Sequence, residues 1–245
     1  MKKIIYSILV TLLLAICSGG QALAADNNDK YKDLDKGHAF TIDKLNEIFP
    51  EAHIDKDKLL KIEEDFKEGK KPDVMDKSKK PVKSFISRKS KDEVHHLEIY
   101  EDGSIFSYGI ASGTDGIWGV GSGSSYVSGD FEYFENYTVF WDLYGLQHSM
   151  GFKISWRENI FSGLCNITSS PKQDHAVKVS PVRVWTVKSS QQGTNPASAA
   201  MTGNAIDNNG NILVGMKVIF EVINGSTDVD TQLKAGGYTY ENSDD

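Results

Sequence analysis

Apolar and polar positions alternate with a period of two from Tyr137 to Arg157. Tyr137, Val139, Trp141 and Leu143 fall on one side of an extended chain, and so do Met150, Phe152, Ile154 and Trp156. Gly151, Lys153, Ser155 and Arg157 take the other side, and Gly145 to His148 can turn. Successive strand side chains point to opposite faces, so the pattern predicts a β-hairpin with one apolar face. Each large side chain moved out of water contributes roughly 1.5–3 kcal/mol, and this face can seed a core.

Similar alternation continues on both sides. Asp102-Gly103 is a two-residue hairpin signal, because glycine tolerates positive φ, and predicts strands near 95–101 and 104–111. Residues 112–129 are rich in Gly and Ser and read as a loop with a short strand at 124–131. Further strands are predicted near 159–168, 176–188 and 197–206. Pro181 marks an edge or a bulge in the second of these. Asn208-Asn209-Gly210 turns the chain into Asn211 to Ile223, where Ile212, Val214, Met216, Val218, Phe220 and Val222 alternate. About eight or nine short strands at this spacing predict an antiparallel β-sandwich over 94–223. The tail, 224–245, reads as loosely ordered.

Upstream the period changes. Thr41 can cap a short helix carrying Ile42, Leu45, Ile48 and Phe49, which Pro50 stops. A second helix starts near Asp55 or Asp57, presents Leu59, Ile62 and Phe66 on one face, and ends at Gly69. These stripes are too thin for a stable unit, so the segment is expected to dock on the rest or on a partner. Residues 25–39 read as a polar, weakly ordered leader to the helices, the two together spanning 25–69. Residues 70–93, with two prolines and many lysines, read as a basic linker.

The first 24 residues have another pattern. Lys2 and Lys3 precede an apolar run from Ile4 to Ile16, and Ala22-Leu23-Ala24 follows. This is the anatomy of a secretory signal peptide cut after Ala24. The run is shorter than the roughly 18–20 residues of a spanning helix, and no later stretch is long and apolar enough to span. Cys17 would suit a lipoprotein only with a small residue before it, where Ile16 stands. Cleavage leaves Cys165 alone, so no intrachain disulfide is expected, and Cys165 reads as a buried core thiol.

The net charge of -7 divides unevenly: +2 from Lys2 and Lys3, -5 over 25–69, +5 over 70–93 and -9 over 94–245. An acidic main domain excludes nucleic acid as a natural partner, since that affinity rests on cations at phosphates. The basic stretch could hold the protein to an anionic cell-wall polymer.

Signatures of chemistry are scarce. There is no H-E-x-x-H, and His95 and His96, being adjacent on a strand, point to opposite faces and cannot chelate as a pair. Gly119 to Gly123 fits neither a nucleophile elbow nor a phosphate loop. Asp207 to Asn211 resembles a calcium loop, but its glycine falls two places early for an EF-hand, and a hairpin turn explains it. No catalytic residue, metal ligand or cofactor is predicted. Asp130, Glu132, Glu135, Asp142 and Glu158 lie near the aromatic segment and would serve a hydrolase only if two of them faced a cleft.

Aromatic residues carry the remaining signal. Trp118, Tyr126, Tyr133, Tyr137, Phe140, Trp141, Tyr144 and Trp156 exceed what one apolar face needs. Phe140 and Tyr144 lie opposite Trp141, beside Asp142. Phe140, Asp142, Tyr144, Trp118 and Tyr126 are therefore the candidate ligand-binding residues, suited to sugars or peptidoglycan fragments if exposed. Packing on both faces of the strand is the structural alternative.

The segments HHLEIYEDGSIFSYGIASGT, SSYVSGDFEYFENYTVFWDLY and NPASAAMTGN, taken in order, resemble a family of small secreted proteins of Gram-positive bacteria whose activity is unknown. The resemblance covers about 94–223 and implies a β-sandwich without assigning catalytic residues. GIWGVGSG and DHAVKV are also similar to lactococcin-972-like bacteriocins, which are far shorter. The expected function is that of a non-enzymatic extracellular binding or interaction module. Its expected partner is a cell-wall polymer or surface protein, and it would be secreted or loosely wall-associated. A bacteriocin-like effector and an extracellular hydrolase are the alternatives.

Overall fold

A computed structural model describes residues 31, 33–112 and 123–238. The chain is mainly β, with two antiparallel sheets and a short helical segment before them. Sheet A has eight strands. Its main order is β1 (Lys83–Ser90), β2 (Glu93–Ile99), β3 (Ile105–Ala111), β5 (Phe131–Tyr144), β6 (His148–Asn159) and β7 (Cys165–Ile167). β4 (Ser124–Ser128) pairs with the first part of β5, and β8 (Lys172–Val177) pairs with β6. Sheet B runs β12 (Ser226–Lys234), β11 (Ile212–Ile223), β10 (Ala197–Ile206) and β9 (Val179–Lys188).

The predicted hairpin is the β5–β6 pair. Val139 faces Phe152, and Trp141 faces Met150. Their inward side chains meet those of sheet B, including Met201, Val218 and Phe220, in one buried cluster. Alanines 197, 199 and 205 of β10 are fully buried there, which lets the sheets approach closely around the large rings of β5 and β6. Cys165 belongs to this cluster, as expected.

Three stretches differ from the sequence reading. Within the predicted linker, residues 83–90 form β1, because Phe85 and its neighbours find the edge of β2, a pairing that composition does not reveal. Residues 226–234 of the predicted loose tail form β12, whose apolar alternation is weak because two of its inward positions are the threonines Thr227 and Thr231. The predicted strand at 159–168 is the end of β6, a turn, and β7. Pro181 lies on edge strand β9, where the register with β10 shifts. The backbone N–H of Thr227 donates to the carbonyl of Lys91, so β12 is tied to the turn between β1 and β2.

The helical segment docks on the outer face of sheet A. It contains α1 (Ile42–Ile48) and α2 (Lys56–Lys67). Thr41 caps α1 by accepting from Lys44 N, and Asp55 caps α2 by accepting from the backbone N–H groups of Asp57 and Lys58. Leu34, Ile42, Leu45, Phe49 and Leu59 pack on Leu97, Ile105, Phe140 and Tyr144 of the sheet. Leu34 and residues 37–39, inside the expected weakly ordered leader, are buried in this layer, as is Phe40 next to them. Among the described residues, no helix is long and apolar enough to cross a membrane.

Candidate functional site

The residues expected to bind a ligand are divided by the helical layer. Phe140, Asp142 and Tyr144 do lie opposite Trp141, but all three are fully buried beneath it. They form the floor on which that layer sits, so for these three candidates the packing alternative holds and the ligand-binding expectation is corrected. Phe40 meets Phe140 edge to face at 5.2 Å, and the Tyr144 hydroxyl donates to the carbonyl of Phe40 at 2.8 Å. Asp142 Oδ2 accepts from the backbone N–H of Ala39 at 2.9 Å. Trp118 lies outside the described residues. Tyr126 alone of the five is described and exposed, at 46%.

Tyr126 belongs to a row of rings on the uncovered end of the same outer face. It stacks on Tyr133 with centroids 5.1 Å apart and planes within 7°. Phe131 meets Tyr133 edge to face at 6.3 Å, and the Arg157 guanidinium lies 4.2 Å over the Phe131 ring. The Tyr126 hydroxyl donates to Glu135 Oε1 at 3.0 Å, a bond that raises its pKa and keeps it protonated. Pairing explains the row. Tyr126 opposes Tyr133, and Tyr133 opposes Arg157, so three strands place their side chains in line. The result is a half-exposed strip of ring faces flanked by a carboxylate and a guanidinium.

A bulge separates this strip from the covered half. Between Phe134 and Tyr137 the register with β6 shifts by one residue, and Asn136 takes φ +57°. Both Phe134 and Tyr137 therefore point inward although they are three apart. Phe131 carries a weak sequence signal for the same reason, since the alternation that starts at Tyr137 does not run back through Asn136.

The candidate carboxylates do not converge on one cleft. Asp142 is sealed under the helices, and Glu135 holds Tyr126. Glu132 and Glu158 share Lys91 Nζ at 2.7 and 2.9 Å. Asp130 sits in the turn before β5, where its carbonyl accepts from Ile160 N. A Ser-His-acid arrangement, which no motif announced, lies beside Asp142. Ser149 Oγ is 2.9 Å from His175 Nε2, and His175 Nδ1 is 3.3 Å from Asp174. A nucleophilic serine must give its proton to the imidazole. Here Ser149 Oγ donates to Asp142 Oδ1 at 2.5 Å and is fully buried, so the network fixes β6, β8 and the docked leader in place. Among the described residues, no group of three or more His, Cys, Asp or Glu could hold a metal ion.

Comparison with protein-family models, with curated proteins and with solved structures finds no match to this chain.

Proposed function

We propose that the chain is a secreted bacterial, non-enzymatic binding module that takes a cell-wall glycan on the Tyr126–Tyr133–Phe131 row. The supporting observation is the near-parallel stack of the exposed Tyr126 on the half-buried Tyr133 at one end of sheet A. The C–H face of a sugar ring packs against such a surface, and its hydroxyls can bond to Glu135 and Arg157. The leader with two lysines, a short apolar run and Ala22-Leu23-Ala24 supports export. The resemblance to small secreted Gram-positive proteins accords with the same reading.

Co-sedimentation with purified peptidoglycan and with neutral insoluble polysaccharides tests it. The mature chain should pellet with at least one polymer. Tyr126→Ala/Tyr133→Ala should lower the bound fraction roughly tenfold, equivalent to about 1.4 kcal/mol, with a cooperative thermal transition reporting that the variant is folded. Equal retention of the double variant would remove the row from the function. Export is tested separately by N-terminal sequencing of the extracellular protein, which should begin at Ala25.

A further inference from the structure

A hollow of about 370 Å³ lies between α1 and the edge of sheet A, away from the aromatic row. Its floor is a cross-strand row in which Ser87 opposes His95, His95 opposes Gly109, and Gly109 opposes Phe140. Ala111 lies one outward position farther along β3 and also lines the hollow. Space exists because the floor contains small residues. A Cβ built on Gly109 would come within 2.2 Å of the carbonyl oxygen of Val94, so the backbone itself forbids a larger residue there.

The walls are apolar: Phe40 and Ile48 from the helical segment and Phe140 from the sheet. His95 and Ser87 are the polar residues of the floor, and His95 is nearly buried. Its ring meets Phe40, Phe49 and Phe140 at 4.9, 5.2 and 5.0 Å. Nε2 is engaged by Ser107 Oγ at 2.6 Å, which leaves Nδ1 as the other polar atom of the ring. Burial lowers the His95 pKa to about 3, so the floor is uncharged at neutral pH. Charge enters only with Lys44, Lys89 and Glu93. Each lysine has an acidic neighbour, Glu47 at 2.9 Å from Lys44 and Glu93 at 3.6 Å from Lys89. The Lys44–Glu47 pair, one helical turn apart, contributes only tenths of a kcal/mol, and the Lys89 side chain is mostly exposed while its partner Glu93 is nearly buried.

We propose that this hollow binds a small amphipathic anion, with its apolar body between Phe40, Ile48 and Phe140 and its acidic head between Lys44 and Lys89. Its volume lies within the roughly 300–1,000 Å³ of small-molecule sites. A medium-chain carboxylate and a compact aromatic acid share this chemistry. A doubly charged or fully polar ligand does not match a floor of rings around one neutral imidazole.

The test uses 8-anilinonaphthalene-1-sulfonate as the anionic probe and N-phenyl-1-naphthylamine as its neutral counterpart, with the full mature chain. The anionic dye should bind saturably, one per chain, and be displaced by decanoate. Ala111→Trp and Ser87→Leu, which fill the hollow from different strands, should each weaken it roughly tenfold, with melting temperature reporting that each variant is folded. Lys44→Glu/Lys89→Glu should weaken the anionic dye to a similar degree and leave the neutral dye within about twofold. Phe161→Ser, on a distant exposed loop, should bind as wild type. Undiminished binding by both filling variants, absence of saturable binding, or loss of binding in Phe161→Ser would overturn the site. Equal loss of both dyes in the lysine variant would overturn the anionic head. None of these outcomes depends on polysaccharide retention.

Discussion

Asp142 accepts the backbone N–H of Ala39 at 2.9 Å, although 103 positions separate them. The same carboxylate accepts from Ser149 Oγ, and His38 lies 3.8 Å away. One buried acid thus joins the leader, β5 and β6. Asp142→Ala would leave a buried N–H and a buried hydroxyl without their acceptor, at a cost of about 1–3 kcal/mol each. The effect should be local. Hydrogen exchange in residues 34–54 should accelerate well before exchange in β10 and β11. Uniform acceleration across the chain would show that the leader and the sandwich unfold as one.

Two histidines make the fold sensitive to acid. Burial lowers His95 to about 3 and His148 to about 4. In the unfolded chain both titrate near pH 6.5, so below that pH the unfolded state binds more protons than the native state. Their contribution is fully present above about pH 6.5 and is lost as the pH falls toward 4. Each pH unit within the window costs up to about 1.4 kcal/mol per histidine. Melting temperature should fall steeply between pH 6.5 and 4.5. His148→Gln keeps a donor for the carbonyl of Ile206, now 2.9 Å from Nε2, and should flatten the slope. An unchanged slope would remove His148 from the account.

Gly151 is required by its neighbour rather than by its backbone angle. A Cβ there would lie 2.4 Å from His175 Cε1 and 2.9 Å from the carbonyl oxygen of Val139. Gly151→Ala should destabilise by about 1–3 kcal/mol through overpacking. His175→Ala should relieve part of this in a double-mutant cycle. Strict additivity of the two changes would contradict the contact.

The turn after β6 presents Phe161 at 81% exposure, with Ile160 and Leu164 beside it. The turn is held by Asn159 Oδ1, which accepts from the backbone N–H groups of Phe161 and Ser162. Phe161→Ser should leave stability within about 0.5 kcal/mol of wild type and reduce concentration-dependent self-association in sedimentation velocity. A large loss of stability would show that the ring is packed.

How far these features were legible depended on where alternation was clean. Tyr137 to Trp156 announced β5 and β6, and both faces were assigned to the right residues. The strand's first third was hidden by the extra residue at Asn136, which shifts the alternation by one. β1 was hidden by its lysines, because an edge strand exposed on most of its residues looks like a linker. The candidate site divided in the same way. Phe140, Asp142 and Tyr144 were correctly placed opposite the core, but a single strand does not show what lies above that face. The helical stripes of Ile42, Leu45 and Leu59 held that answer only once paired with it. Tyr126 was found by composition, whereas its partner Tyr133 became meaningful only through the β4–β5 register.

The link from Thr227 to Lys91 has a consequence in time. Every strand of sheet B follows every strand of sheet A in the chain. During synthesis the apolar face of β5 and β6 therefore exists before anything that can cover it. Its cover comes only with β10 and β11, and β12 arrives last to close the far side. A growing chain with an unfinished sheet is prone to sticky encounters with its neighbours. Premature termination anywhere before residue 226 should thus yield aggregates rather than a smaller working fold.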